Sequence, residues 1–492
     1  MTPTDPVRAD QLEAWVLAGY QRLERLAVPA FSVGPREMRR QQSEVERASV
    51  RQLPLSGLPR ELCNLDAWLS GSREGMAQLD ALVGLSMLFK YVAGPLRYEP
   101  YSESPIHKAV PPSRGRYPLQ YFFAQSIGGT TRVYAYVPEF HGLQELPPVA
   151  FSGLRDGQAA LVCLGRAWRY AEEYGEFAHV PCVLEAGHAQ SQAHHLAQLL
   201  GIGDAADPDR ECGRPLCALP FDVPLFCIGL RLPADVERLA SRASNLAVPR
   251  PYPEMEQRFP RLHLFQRCFD SGGTAARRMP AAVPNGSSIT RRHDVGRRGV
   301  LAVMRQRTSG NDRGLASSVL SNVPAGTFVS IVDTWHAIRR RRPANAAGQE
   351  LKHAVIWLAR EAGWAPGIYD IDGQTATMRA WRGDLHAAVA RMLPYANTKY
   401  NISALTAVFI IQADITASIT RLGDAALREI HIAAGAAAQD FSIAATAHDM
   451  FARPTKMMRE ARLESELSLD GHAVYLVLCG FARAANPTME LL

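Results

Sequence analysis

The sequence repeats itself weakly across its two halves, and this repeat constrains the fold more than any single motif does. The first half contains RVYAYVPEFHGLQEL, from Arg132, and EYGEFAHVPCVLEAGHAQSQAHHLAQLLGIG, from Glu173. The second half contains GIYDIDGQTATMRAW, from Gly367, and RLGDAALREIHIAAGAAAQDFSIAATAHDM, from Arg421. A chain whose halves share one plan is expected to fold as two similar units.

The alignment of the two longer segments is continuous. When Tyr174-Gly175-Glu176 is set against Leu422-Gly423-Asp424, Gly187 falls against Gly435 without a gap. An amphipathic stretch follows each of these glycines, from which we predict that each glycine opens a long helix. A strand pair and a further helix precede it in each half. The pattern predicts an α+β layer fold that is present twice.

Length and composition agree with two domains. The chain has 492 residues, of which 47% are hydrophobic and 21% charged, as is typical of folded globular proteins larger than one ordinary core. From about Arg242 to Arg298, proline, glycine, serine and arginine dominate and periodicity is lost, which indicates a linker. We therefore predict a first domain at residues 1–245, a linker at 246–298 and a second domain at 299–492.

Charge and cysteine content narrow the class of protein. The net charge of +6 does not call for a nucleic-acid partner, and we predict that the arginine run from Arg339 to Arg342 is a solvated edge, with phosphate binding as the alternative. The eight cysteines lack metal-site or redox-pair spacing, so reduced thiols are expected. No apolar run approaches the ~20 residues of a membrane span. A cytoplasmic protein without a membrane partner is expected.

One turn has the composition of a binding loop. In PPSRGRYPLQYFF, residues 111–123, Pro112, Ser113 and Gly115 precede a run of aromatic and apolar residues. Glycine lacks a Cβ and proline fixes φ, so such a turn brings backbone N–H groups and a hydroxyl close to a neighbouring group. An ordinary loop before a strand is the alternative.

The order of three segments carries a family resemblance. PSRGRYP, then VYAYVPEFHGLQEL, then EAGHAQSQAHHLAQLLGIG resembles the SagB-type dehydrogenase branch of the FMN-dependent nitroreductase superfamily, which includes azoline oxidases of peptide natural-product pathways. The resemblance covers most of residues 80–230 and, more faintly, 299–485. Family members usually dimerise and build their FMN sites at the interface. The resemblance therefore implies two nitroreductase-like three-layer α/β/α domains in tandem, forming a pseudo-dimer within one chain.

The resemblance also implies a phosphate clamp. In VMRQRTSGND, Arg305, Arg307, Ser309 and Asn311 resemble the family segment that holds the phosphate and ribityl chain of FMN. Guanidinium and hydroxyl donors suit a phosphate group on chemical grounds alone.

Four further residues join this predicted cofactor site. In FARPTKMMREARLESEL, Arg453 and Lys456 would lie near one face of a helix that starts at Pro454. Phosphate ligation and an exposed amphipathic helix both fit that segment. The resemblance adds Gly435 and Gln439 of the second glycine segment to the cofactor-binding residues.

Departures from the family pattern decide how many sites remain. The first half has LSGSREG, residues 69–75, where an Arg-x-Ser element is expected, and the second half has RPANAAGQELK, residues 342–352, without the serine of a Pro-Ser-x-Gly turn. In the family these two elements of one flavin site come from opposite subunits. The losses therefore predict one complete composite site, closed by the Ser113 turn, and one defective site.

The resemblance implies a weaker catalytic assignment. Azoline oxidases carry a Lys-Tyr pair ahead of the EAGH-like segment, and Glu173-Tyr174 stands at that place here. We predict Tyr174 as a proton donor or acceptor and Glu173 as a base if burial raises its pKa, with a surface Glu and a core Tyr as the alternative. Lys399-Tyr400 is a second pair at a different spacing. His188, His194 and His195 are predicted to pack in the core and to bind no metal.

These observations predict an FMN-dependent oxidoreductase that acts on a peptide or carrier-tethered intermediate in natural-product biosynthesis, with other biosynthetic enzymes as candidate partners. Two alternatives stay open. One is an NAD(P)H-dependent reductase of nitro compounds or quinones. The other is a non-catalytic scaffold of the same fold that binds a partner or peptide.

Overall fold

The computed structural model describes most of the chain between residues 50 and 491. The described residues are 50–72, 79–99, 106–149, 151, 153–203, 207–217, 222–231, 294–310, 318–319, 323–343, 346–373, 375–395, 401–482 and 489–491. Nearly all of the predicted linker lies outside these residues, as do Asn311, Lys399 and Tyr400.

An antiparallel sheet forms the centre of the first half. Its elements in chain order are β1 (Arg51–Gln52), α1 (Leu65–Ser70), α2 (Ala81–Val92), β2 (Arg97–Tyr98), β3 (Ile106–His107), a 3-10 turn (Ser113–Gly115), β4 (Leu119–Ile127), β5 (Thr130–Val137), β6 (Gly142–Glu145), β7 (Ala159–Arg166), α3 (Trp168–Tyr174), a 3-10 turn (Gly175–Ala178), α4 (His179–Leu199), a 3-10 helix (Arg210–Leu216) and β8 (Asp222–Leu230). The sheet order is β1-β6-β5-β4-β7-β8.

The hairpin of β4 and β5 shows how local sequence sets this sheet. Gly128 and Gly129 connect the two strands with φ of 59° and 74°. Two consecutive positive φ values match the right-handed twist of the strands, and glycine adopts them without strain. Ile127 therefore pairs with Thr130 across a two-residue loop.

Every residue of β7 and β8 is buried, as expected for strands covered on both faces.

The second half repeats this plan. Its elements are a 3-10 turn (Asp294–Arg297), α5 (Val300–Gln306), β9 (Ser318–Val319), α6 (Thr327–Arg340), α7 (Ala346–Gln349), β10 (Lys352–Trp357), β11 (Gly367–Asp372), β12 (Thr375–Arg379), α8 (Leu385–Met392), a 3-10 turn (Ile402–Ala404), β13 (Ala407–Ala413), α9 (Ile415–Leu422), a 3-10 turn (Gly423–Ala425), α10 (Ala426–Ala447), β14 (Phe451–Thr455), α11 (Glu460–Leu467), β15 (His472–Ala482) and β16 (Met489–Glu490). The sheet order is β12-β11-β10-β13-β15-β14, with β9 paired to β15.

The repeat extends to backbone detail. The order β5-β4-β7-β8 in the first sheet matches β11-β10-β13-β15 in the second. The short helix before each long helix ends at a glycine of the same conformation, Gly175 with φ 56° and ψ −135° and Gly423 with φ 60° and ψ −145°. The prediction of an α+β fold present twice is confirmed.

The halves meet in a symmetric contact. The Leu65 N–H donates to the Arg298 carbonyl at 2.8 Å, and the Val300 N–H donates to the Cys63 carbonyl at 3.0 Å. These reciprocal bonds join the starts of α1 and α5, as in an isologous dimer interface. The chain also crosses over at its C-terminal end, where Met489 of β16 pairs with Tyr98 of β2 in a small third sheet with β3.

The long helices α4 and α10 cross at their glycines, which corrects a prediction. Gly187 and Gly435 lie within these helices, not at their starts. A Cβ on Gly187 would lie 2.9 Å from the Cα of Gly435 and would overlap the carbonyl oxygen of Ile432. Glycine is used here for close approach of two backbones, and tertiary packing compensates its low helix propensity.

A second correction concerns Pro454. The segment Phe451–Thr455 is the edge strand β14, which among the described strands pairs with β15 alone, and the helix begins at Glu460. An edge strand accommodates proline because no neighbour needs its missing N–H. None of the described helices has the length and hydropathy of a membrane span.

Candidate functional site

The Ser113 turn lies at the interface of the halves. Residues Ser113–Gly115 form a single 3-10 turn in which Gly115 has φ of 69°. The Ser113 N–H donates to the hydroxyl of Tyr170 at 3.0 Å. The predicted turn is therefore an ordered loop tied to α3, and its glycine occupies a conformation that L side chains rarely adopt.

Arg307 reaches across from the second half to this region. The chain leaves the α5 helix at Arg307, whose side chain is 3% exposed. Its Nε donates to the Ala109 carbonyl at 2.8 Å, and its Nη2 donates to the Lys108 carbonyl at 3.3 Å. Its Nη1 donates to the Ser309 hydroxyl at 3.3 Å. The structure thus brings Arg307 and Ser309 beside the segment that leads into the Ser113 turn.

Gln439 joins the same cluster from α10. Its Oε1 accepts from His188 Nδ1 at 2.9 Å, and its Nε2 donates to Gln192 Oε1 at 3.0 Å. His188 Nε2 lies 3.3 Å from the hydroxyl of Tyr475. Burial lowers the pKa of His188 to about 3, so its imidazole is neutral. The four side chains form a buried polar layer between the two halves.

The cluster carries positive charge without a paired carboxylate. Among the described residues, no carboxylate lies within ion-pair distance of Arg307 or Lys108. Burial, with Arg97 nearby, lowers the pKa of Arg307 to about 9, and burial lowers that of Lys108 to about 8. The Lys108 ammonium lies 4.0 Å from the centre of the Tyr117 ring. A buried cationic pair of this kind is suited to an anionic ligand, so the donors fit the phosphate of FMN.

Two other residues predicted to bind the phosphate, Arg305 and Lys456, are engaged outside the Arg307 cluster. The Arg305 guanidinium binds Glu61 at 3.0 Å and the Tyr91 hydroxyl at 2.7 Å. Lys456 donates to the Ala473 carbonyl at 3.0 Å and lies 3.4 Å from a Glu460 oxygen. Each of these two cations is thus paired with a carboxylate, whereas Arg307 is bonded to neutral oxygens among the described residues.

Two more assigned residues have clear positions. The Ala452 N–H donates to the Thr308 carbonyl at 2.9 Å, so the strand that carries Arg453 runs beside the segment of Ser309. Gly435 packs against Leu184 and Gly187 at the helix crossing. The close contact between the two helix backbones explains why this position is a glycine.

The predicted catalytic pair is placed on α3. Glu173 is bound by Arg116, at 2.6 Å from Nε and 2.5 Å from Nη2. The Glu173 carboxylate is therefore held in an ion pair with Arg116. Tyr174 is half-buried, and its ring meets that of Tyr170 edge to face at 5.4 Å.

Sequence reasoning missed Glu185 and Tyr170. The Tyr170 hydroxyl donates to Glu185 Oε2 at 2.6 Å, and both residues are buried. Burial raises the pKa of Glu185 to about 7. The signal in the sequence was a glutamate on a helix of otherwise apolar and neutral polar residues, since an unpaired acid at such a place is rare. Together with Lys108, His188 and Gln192, these residues complete the cluster around the Ser113 turn.

The pseudo-symmetric position is filled by the chain itself. Buried Asp440 accepts from Ser191 Oγ at 2.5 Å and from His195 Nε2 at 2.9 Å, and it pairs with Arg342 Nε at 2.7 Å. Burial alone would raise the pKa of Asp440, but Arg342, His195 and Ser191 hold it at about 2. The prediction of a solvated edge is therefore wrong for Arg342, because a buried carboxylate binds its guanidinium.

The two positions correspond residue by residue. In the alignment that pairs Gly187 with Gly435, Gln192 matches Asp440 and Ser191 matches Gln439. The Gln439–Gln192 bond and the Ser191–Asp440 bond are thus related by the pseudo-two-fold. One position contains unpaired cations, and the other contains a satisfied ion pair. The described residues include no group of three or more His, Cys, Asp or Glu that could hold a metal.

A known structure shares this architecture. A putative nitroreductase from Anabaena variabilis superposes with a TM-score of 0.60 at 15% identity, over 88% of this chain and 96% of that chain. The E. coli microcin synthetase McbBCD complex with truncated pro-MccB17 bound (TM-score 0.31, 11% identity) covers 42% of this chain and 80% of its own. A putative nitroreductase from Ralstonia eutropha (TM-score 0.28, 15% identity) covers 43% and 93%. Neither a family model nor a curated protein matches the sequence. The first likeness confirms the predicted fold.

Proposed function

We propose that this chain, which has the nitroreductase fold, is an FMN-dependent oxidoreductase that dehydrogenates a peptide or carrier-tethered intermediate. The observation that carries the proposal is Arg307, a buried cation with no carboxylate partner among the described residues, held beside the Ser113 turn at the interface of the halves. A nitroreductase-like flavin site is expected at such an interface, and a phosphate is the anion that FMN brings to it. The peptide class rests on the sequence resemblance to SagB-type dehydrogenases.

The residues have separate roles in this proposal. Arg307, Lys108 and the Ser309 hydroxyl would bind the phosphate through charge-assisted hydrogen bonds. Gly115 would let the backbone of the turn approach a planar ring, because no Cβ holds it away. Gln439 and His188 form the polar layer behind them. Bound FMN would supply the hydride acceptor, while the chain orients the substrate and takes its proton.

A single flavin per chain is part of the proposal. The position related by pseudo-symmetry already contains Asp440 and Arg342, whose charges satisfy each other. A carboxylate repels a phosphate, so this position does not suit a second FMN. We expect one FMN in each chain, bound between its two halves. The proposed domain limits, 1–245 and 299–492, assign the two walls of that site to different domains.

The purified full-length protein tests the proposal through its visible spectrum. Flavin absorbance, with about one FMN released per chain on denaturation, is the expected result. Two flavins per chain would overturn the single-site argument. A colourless protein that takes up no added FMN would instead identify a non-catalytic scaffold. Rapid reduction of the bound flavin by NADH or NADPH would identify the reductase of nitro compounds or quinones.

A further inference from the structure

Glu185 is a buried acid that none of the predicted roles uses. It lies on the α4 helix, is 4% exposed, and accepts a 2.6 Å hydrogen bond from Tyr170. Tyr170 in turn accepts the N–H of Ser113 at 3.0 Å. A continuous chain of hydrogen bonds therefore runs from a buried carboxyl group to the turn that borders the candidate site.

The Tyr170 oxygen has one acceptor position that its two hydrogen bonds do not use. A phenol has one proton to donate and two lone pairs. The proton goes to Glu185, and one lone pair accepts from Ser113, which leaves one lone pair at the turn. The predicted base, Glu173, is instead held in an ion pair with Arg116.

We propose that Tyr170 and Glu185 together accept the substrate proton in the dehydrogenation, an inference that rests on the proposed function. The substrate gives a hydride, with its two electrons, to the flavin and gives a proton to the Tyr170 oxygen. As that O–H bond forms, the original Tyr170 proton moves to Glu185 Oε2. Tyr170 ends as a phenol again and Glu185 as a carboxylic acid, so atoms and charge balance. The pair replaces the lysine that the resemblance leads one to expect at position 173.

The surroundings of Glu185 suit a proton acceptor. Burial raises the pKa of Glu185 to about 7. A base with a pKa close to the pH of the solution exchanges protons most effectively. Burial also raises the pKa of the neighbouring phenols and thiols, which stay neutral, and lowers that of Lys108 to about 8. The groups that face Glu185 are Lys108, Tyr170, Tyr117, Tyr121, Tyr475, Cys163 and Cys182.

The test is the pH dependence of the reduction potential of bound FMN, titrated against a redox dye from pH 5.5 to 9. If Glu185 takes up a proton when the flavin is reduced, the plot of potential against pH bends near pH 7 to a slope steeper by one proton per two electrons, opposite in sense to the flattening that deprotonation of reduced FMN itself produces. The Glu185→Gln variant should keep its flavin and lose the bend. Glu185→Asp should retain a bend. Tyr170→Phe should move the bend upward, because the Tyr170 hydrogen bond lowers the pKa of Glu185.

A glutamate and a tyrosine of the second half provide controls for the Glu185 and Tyr170 variants. Glu361 is a carboxylate that accepts the Phe328 N–H at 3.1 Å, and the Tyr369 hydroxyl donates to the Ala365 carbonyl at 2.7 Å. Glu361→Gln and Tyr369→Phe should leave the bend in place. A bend that persists in Glu185→Gln, or is absent from the wild type with FMN bound, overturns the relay while the proposed function stands. A wild type that binds no FMN overturns the proposed function and the relay with it.

Discussion

Gly187 and Gly435 touch at the centre of the molecule, where the backbones of two long helices cross. A Cβ on Gly435 would lie 3.1 Å from the Cα of Gly187, and one on Gly187 would lie 2.9 Å from the Cα of Gly435. The contact is equivalent in both directions, because the two glycines correspond in the internal repeat. It joins the two halves of one chain as a symmetric interface joins two subunits.

Substitution of Gly187 by Ala should destabilise the protein. The added methyl group has no room against the Ile432 carbonyl, so the helices must separate, at a cost of about 1–3 kcal/mol in the free energy of unfolding. Urea unfolding followed by circular dichroism measures this change. The matched control is Gly84→Ala in helix α2, where a Cβ would meet Ile202 at an ordinary 3.6 Å and should stabilise the helix by roughly 0.5–1 kcal/mol. Equal effects at both positions would show that the crossing is not tightly packed.

Arg307→Ala should weaken FMN binding while the fold is retained. The lost charge-assisted contact is worth about 1.5–3 kcal/mol, or roughly tenfold to a hundredfold in the dissociation constant. Fluorescence titration of the apoprotein with FMN gives the constant. The control is Arg298→Ala. Arg298 precedes helix α5, which Arg307 follows, and its guanidinium binds the Ala447 carbonyl and Asp449. If both variants bind FMN as the wild type does, the phosphate site is misplaced.

Gly115→Val should expel FMN and leave the protein soluble, since a β-branched side chain disfavours the φ of 69° and would stand against the ring. Gly157→Val controls for backbone strain, because Gly157 has φ of 78° with no atom within 4 Å of a Cβ. Gly348→Val, in helix α7 where the second half lacks the Pro-Ser-x-Gly turn, should leave flavin content unchanged. Flavin content is read from absorbance per folded chain. Loss of flavin in Gly348→Val but not in Gly115→Val would assign the site to the other composite position.

Asp440→Ala should be strongly destabilising. It leaves the Arg342 guanidinium and the His195 N–H without their acceptor in the interface, and removal of one partner of a buried ion pair typically costs about 3–5 kcal/mol. Chemical unfolding measures the loss. Glu466→Ala breaks the exposed pair with Arg391 at 2.9 Å and should cost less than about 1 kcal/mol. A small loss in Asp440→Ala would contradict the view that this position is closed by its own charges.

Acidification should destabilise the fold below pH 6.5. Burial lowers the pKa of His141, His336 and His431 to about 4 and that of His188 to about 3. Between pH 6.5 and these values the unfolded chain binds protons that the native chain does not, so each histidine costs up to about 1.4 kcal/mol per pH unit as the pH falls.

Glu185 acts in the opposite direction between pH 7 and 4.5, because its folded pKa is raised. Histidines with a lowered pKa, which also include His195 and His353, outnumber the groups whose pKa is raised in this range, so acidification leaves a net loss. Urea midpoints at pH 7, 6 and 5 test this expectation, and a midpoint that does not fall would contradict the neutral buried state of the histidines.

Several properties could be predicted from the sequence alone. The α+β class, the repeated plan and the alignment of Gly187 with Gly435 in that repeat follow from residue periodicity, which reflects local geometry. The turn at Ser113 was predictable from Gly115 and its prolines for the same reason. These features depend on residues close together in the chain, so a single sequence contains them.

Only the tertiary structure decided which side chains meet. Gly187 and Gly435 interrupt no helix, because the packed partner helix compensates a propensity that locally opposes helix formation. Pro454 lies in a strand because β14 is at a sheet edge. Arg342 turns inward because Asp440 is buried opposite it, and Arg307 meets Lys108 and Ala109 only when the halves associate. The contacts of Arg342 and Arg307 join residues 98 to 199 positions apart, and their energies depend on burial that no local pattern records.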